Sequence, residues 1–118
     1  MKIFFTVVLA LNLLVEGMAA FTLIGGPQGI SAAGIGGQWS MHYGFAAIAI
    51  ASTGLWIWPY RNNKAAVTAV LGMLMIFHVG LFTSLSIAGD QQAGVMIHAV
   101  MSVLCILLFT QRSKWCTA

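Results

Sequence analysis

Four side chains in this sequence carry metal-ligand or acid–base chemistry into surroundings where such groups are costly: Glu16, His42, His78 and His98. Each lies within or at the border of a long apolar run, where an ionisable group usually turns inward and finds a partner. Three imidazoles and one carboxylate are a donor set for a transition metal such as copper, iron or zinc. Two imidazoles facing each other could instead hold haem iron from both sides. Asn12 stands four residues before Glu16, and Ser102 four after His98. That spacing puts each on the same helical face as its neighbour, in a supporting polar role. Met75 and Met101 each lie three residues from a histidine, and their soft thioethers would suit copper(I). No His-x-x-x-His, Glu-x-x-His or Cys-x-x-Cys-His motif gathers these donors locally. The same residues admit a plainer reading, in which neutral histidines tie helices together, His42 sits at headgroup level and the methionines only pack. A site for a proton, a quinone or a small lipid-like ligand is a third.

Whatever the donors do, apolar elements must position them. Of 118 residues, 60% are hydrophobic and only 6% charged, whereas a soluble domain carries about 25% charged residues. Four runs, 3–24, 39–60, 65–87 and 93–109, are apolar all round. About 20 such residues at ~1.5 Å rise cross the ~30 Å hydrocarbon core. The expected fold is therefore all-α: an integral membrane, antiparallel four-helix bundle forming one domain over residues 1–118. Lys2 and the apolar run to Met18-Ala19-Ala20 resemble a secretory signal, but Glu16 interrupts that run, and the segment is read as the first span. With so little chain outside the spans, a soluble catalytic domain has no room.

Charge orients the bundle. With four spans, the N-terminus, the 61–64 turn and the C-terminus share one side. All five basic residues, Lys2, Arg61, Lys64, Arg112 and Lys114, fall there, and Asp90 is the one charge opposite. The basic side is then cytoplasmic, with both termini inside, as expected for a bacterial inner membrane. Trp56, Trp58, Tyr60 and Trp115 fall at the inner interface and Trp39 and Tyr43 at the outer one, where amphipathic rings gather. The basic balance thus reports topology; no basic face with interleaved aromatics points to nucleic acid. Counting ~1.5 Å per residue from the inner boundary puts Glu16 and His78 at ~20 Å, His98 at ~17 Å and His42 at ~27 Å. Because alternate spans run in opposite directions, four groups distant in sequence share one slab of the outer half. On the second span His42, Ala46, Ala49 and Thr53 form the expected inward stripe; on the fourth it is Gln91, Gly94, His98, Ser102 and Cys105.

The uncharged, glycine-rich stretch 25–38 is either a connector or a lid over an outer site. Asn62-Asn63 forms the inner turn. Cys105 lies within a span and Cys116 in the tail, separated in depth and facing a reducing compartment, so no disulfide is expected.

Glu16-Gly17 late in the first span, the ending Trp56-Ile57-Trp58-Pro59 of the second and the short polar turn after it give the chain a layout that resembles the DoxX-like small four-helix membrane proteins. That resemblance implies a link to membrane redox or stress functions, often beside a larger enzyme. It brings no catalytic motif to particular positions. The leading expectation is a redox-associated membrane protein with an intramembrane His/Glu cluster for a metal ion or haem. The alternatives are an accessory subunit without chemistry of its own and a small proton-coupled carrier using Glu16. A homo-oligomer or a larger membrane complex, within the lipid bilayer, is the expected assembly.

Overall fold

In a computed structural model, which describes residues 1–25, 37–89 and 91–117, the chain is helical throughout its long segments. Among the described residues four α-helices follow one another: α1 (Lys2–Gly25), α2 (Gly37–Ile57), α3 (Lys64–Ala88) and α4 (Gln92–Gln111). Two short 3-10 turns, Trp58–Tyr60 and Arg112–Lys114, follow α2 and α4. The glycine-rich stretch read as a connector or lid, the charge at Asp90 and the side chain of Trp39 lie outside the described residues. Among the described residues, three segments are long and apolar enough to cross a membrane: Lys2–Ile24, Lys64–Ala88 and Gln92–Lys114. The described part of α2 is more polar, because Ser40, His42, Tyr43, Ser52 and Thr53 interrupt it.

Local chemistry sets the ends. The second span was expected to run to residue 60, but α2 stops at Ile57. Pro59 has no amide hydrogen for a helical bond, and its ring disfavours a helical conformation at the residue before it. The chain tightens into the 3-10 turn there instead. Asn63 caps α3: its side-chain oxygen accepts from the Ala66 amide at 2.9 Å, which satisfies one of the orphan donors of the first turn. Gly89 ends α3 with φ 73°, and its amide donates to the Leu85 carbonyl at 2.9 Å. That left-handed backbone is where glycine has no steric penalty.

The chain divides into two compact units, Met1–Val8 with Ile57–Ala118, and Leu9–Trp56. In the first, α3 and α4 are antiparallel neighbours. Thr68 meets Arg112, His78 meets His98 and Leu85 reaches Gly94, one pair after another along the two helices. Each helix buries one stripe: Val67, Leu71, Leu74 and His78 on α3; His98, Met101, Ser102, Cys105 and Leu108 on α4. These spacings of three and four place the residues on one face. The opposite faces present Ile76 and Ile87, and Met96, Val100 and Val103, as a lipid-facing helix would.

The basic end of this unit is tied off. The Lys64 amide donates to the Thr117 carbonyl at 3.0 Å, and the Thr117 amide to the Asn62 carbonyl at 2.7 Å. Phe5 stacks at a tilt on Trp115, with ring centroids 5.7 Å apart. Arg112 donates to the Thr68 hydroxyl at 2.7 Å and to the Phe109 carbonyl, with its guanidinium 4.0 Å from the Phe109 ring centroid. Arg61 similarly donates to the Trp58 carbonyl and lies 4.5 Å from the Trp58 ring centroid. All five cations therefore belong to one unit, whose three basic segments are held to one another.

In the second unit α1 packs on α2. The Asn12 side-chain amide donates to the Ile50 carbonyl at 2.9 Å. The face that α2 buries differs from the expected one. Gly44, Ala47, Ala51 and Thr53 are buried, whereas His42, Ala46 and Ala49 are exposed. The reason is close approach. A Cβ on Gly44 would lie 2.7 Å from Ile24 Cγ1 and 3.1 Å from Leu23 Cβ, and one on Gly54 would lie 3.5 Å from Leu9 Cβ. The glycines let α1 come nearest on their side, which turns the His42 side away.

Gly44→Val is expected to lower stability by about 1–3 kcal/mol through overpacking. Gly80→Ala, where an added methyl meets nothing within 4 Å, is expected not to lower it. Unfolding midpoints in SDS titrations of the detergent-solubilised chain would measure both.

Candidate functional site

The centre of interest in the first unit is a pair of imidazoles. His78 of α3 and His98 of α4 are both buried, and their Nδ1 atoms lie 3.0 Å apart. The ring centroids are 5.3 Å apart with planes inclined by 32°. Phe77 meets both rings edge-on, at 5.3 Å from His78 and 6.4 Å from His98. A hydrogen bond of this geometry needs one ring with its proton on Nδ1 and the other with a bare Nδ1. Two opposed bare nitrogens at this distance would repel unless a proton or a cation lay between them.

The helix spacing delivers this meeting. His78 is the last of the buried stripe on α3, four residues beyond Leu74, and His98 begins the stripe on α4. α3 ends at Ala88 and α4 begins at Gln92, running back along the first. Ser102 uses its hydroxyl on the His98 carbonyl at 2.7 Å, so this supporting residue reinforces its own helix one turn on from His98. Met101 is buried on α4, and Met75 is half-buried on α3.

In the second unit, Glu16 is fully buried on α1 and interacts with the hydroxyl of Tyr43 on α2. Asn12, on the same stripe, is also fully buried, and its amide goes to the α2 backbone. His42 is exposed.

Tyr43 was read only as an outer-interface aromatic. The signal for its role lay in depth. It stands one residue below His42, and a phenol is long enough to reach down towards a carboxyl about a turn lower. Phe77 carried no signal, because one more aromatic in an apolar run is unexceptional.

His78 and His98 in the first unit each offer a buried imidazole nitrogen, and Glu16 in the second is a buried carboxyl, all of them residue types that ligate metal ions. A carboxylate with two imidazoles is the chemistry of non-haem iron and of zinc sites. Haem suits the pair less well, because ligands on opposite faces of a haem iron are not hydrogen-bonded to each other. No family model, curated protein or solved structure matches the chain.

His78→Leu and His98→Leu should each cost about 1–3 kcal/mol, since each removes the hydrogen bond that joins the two buried imidazoles. The double replacement should cost clearly less than the two added together. Additive losses in equilibrium unfolding would show that the imidazoles do not depend on each other.

Proposed function

We propose that the chain is a four-span membrane protein with both termini in the cytoplasm, and that Glu16, His78 and His98 bind one transition-metal ion in the outer half of the bilayer. The observation that carries the metal reading is the meeting of the His78 and His98 Nδ1 atoms at 3.0 Å. Two zinc–nitrogen bonds of ~2.0–2.1 Å at a tetrahedral angle hold their nitrogens ~3.4 Å apart, so a small rotation of one ring opens the pair enough for an ion. Support for Glu16 as the third donor comes from its burial and from the residue count, which gives it the same depth as His78 at ~1.5 Å per residue. Three protein donors leave a position open for an external ligand. Iron or copper so held would supply one-electron chemistry, and Met101, buried three residues on from His98, is a soft donor on the same helix. A redox-associated role beside a larger enzyme, as the DoxX-like layout implies, is the function this site would serve.

A specific observation also favours a second reading. The direct hydrogen bond between the imidazoles already ties α3 to α4 without any ion, which is all that an accessory subunit would require.

Metal analysis separates the two. Chain purified without chelator and titrated with iron, zinc and copper is expected to retain about one ion per chain. His78→Leu/His98→Leu is expected to retain none, and Glu16→Gln to bind more weakly. Failure of the unsubstituted chain to take up any of the three ions would leave the tie alone.

Topology has its own test. Cys105 is buried in α4, and Cys116 is partly exposed beyond it. Burial pushes the Cys116 thiol up, with Arg112 and Lys64 pulling it back, so labelling is best run at mildly alkaline pH. An impermeant maleimide should label Cys116 in inverted vesicles and spare it in intact cells. The reverse pattern would invert the orientation.

A further inference from the structure

The basic end of the first unit carries an open groove of about 540 Å³ lined by Lys64, Ala65, Thr68 and Ala69. We propose that it binds an anionic phospholipid of the inner leaflet, with the headgroup phosphate at Lys64 and an acyl chain along Ala65 and Ala69. The inference rests on the membrane reading and is independent of the metal.

Three features favour that occupant. The groove lies at the first two turns of α3, a helix long and apolar enough to span a membrane, so it opens at the level where headgroups meet acyl chains. Its lining is almost wholly apolar apart from Lys64 and Thr68, which matches an amphiphile better than a free anion. Its charge is also complementary. Arg112 is hydrogen-bonded to Thr68 in the groove wall, and Lys64 and Arg112 both act on the nearby Cys116 thiol. Lys64 in the lining and Arg112 on its wall thus place two cations beside one open apolar groove. Basic pockets on the cytoplasmic side of membrane helices hold anionic headgroups in this way. Small side chains at 65 and 69 leave the floor open for a hydrocarbon chain.

The groove is also assembled by the fold. The Lys64 amide is fixed by the Thr117 carbonyl, and the Thr68 hydroxyl accepts from Arg112 while donating to the Lys64 carbonyl at 2.7 Å. The Thr68–Arg112 side of the rim is therefore held in place before any lipid arrives.

The test uses the full chain in nanodiscs of mixed phosphatidylglycerol and phosphatidylcholine, with retained lipid counted by native mass spectrometry. The unsubstituted chain is expected to retain phosphatidylglycerol in preference to phosphatidylcholine. Lys64→Gln should lower that retention about fivefold. Ala69→Leu should lower it too, with no change in charge, because it fills the floor at an exposed position that the core does not use. Lys2→Gln removes a cation from the same end but not from the groove, and should leave retention unchanged. An equal loss in Lys2→Gln and Lys64→Gln would mean a diffuse field and overturn the site. Displacement of the lipid by millimolar inorganic phosphate would mean a free-anion site and overturn the lipid assignment.

Discussion

Hydrocarbon offers no hydrogen bonds, so every polar group placed in it must find a partner within the protein. That constraint sorts the polar side chains of the long helices into two kinds. Thr6, Thr22, Thr68, Thr83, Ser86 and Ser102 each donate to a carbonyl four residues back, and Ser52, Thr53 and Thr110 to one three back. Each of these hydroxyls finds an acceptor within its own helix. Asn12, Glu16, His78 and His98 are too long or have too many polar atoms for that solution. Their partners lie on other helices: the Ile50 carbonyl, the Tyr43 hydroxyl and, for the two histidines, each other. Removing the water thus decides which helix faces meet, and the same residues become the candidates for chemistry.

The two units answer the constraint differently. Between α1 and α2 the tie is an amide to a backbone carbonyl, and glycines at 44 and 54 let the helices come close enough to make it. Between α3 and α4 the tie is imidazole to imidazole, and the close approach falls at Gly94, where a Cβ would lie 2.9 Å from Leu85 Cδ1. The basic end of the first unit is built differently. There the packing uses guanidinium on ring, ring on ring and tail backbone on turn backbone instead.

Much of this could be read from the sequence. Apolar length located the helices to within three residues at each end, since hydrocarbon burial depends on composition rather than detail. The largest difference is at the end of α2, three residues, where the Pro59 ring had a larger effect than hydropathy. The antiparallel course of α3 and α4, together with residue counting, put His78 and His98 at nearly one level, and they do meet. The facing side of α2 was not legible. Two stripes of small residues compete on that helix, 42/46/49/53 and 44/47/51/54, and pattern alone does not rank them. The glycines rank them, because only a residue without a Cβ admits Ile24 at that distance. Tyr43 was missed for the same reason, its side chain having been placed by type rather than by face.

The histidine pair shows how a tie and a ligand site can share one geometry. In the hydrogen-bonded pair, the donating ring carries its proton on Nδ1 and has a bare Nε2, while the accepting ring is the reverse. To coordinate an ion through both Nδ1 atoms, the donating ring must shift its proton to Nε2. The net charge of the pair does not change, so burial does not oppose the shift. What changes is the demand at Nε2, which turns from an acceptor into a donor and needs an acceptor of its own, as ligating histidines commonly have. The balance between tie and site is therefore set less by the 3.0 Å contact than by what the far nitrogen of the donating ring faces. A carboxylate or carbonyl there would favour the ligand form, and a donor there would hold the pair as a tie.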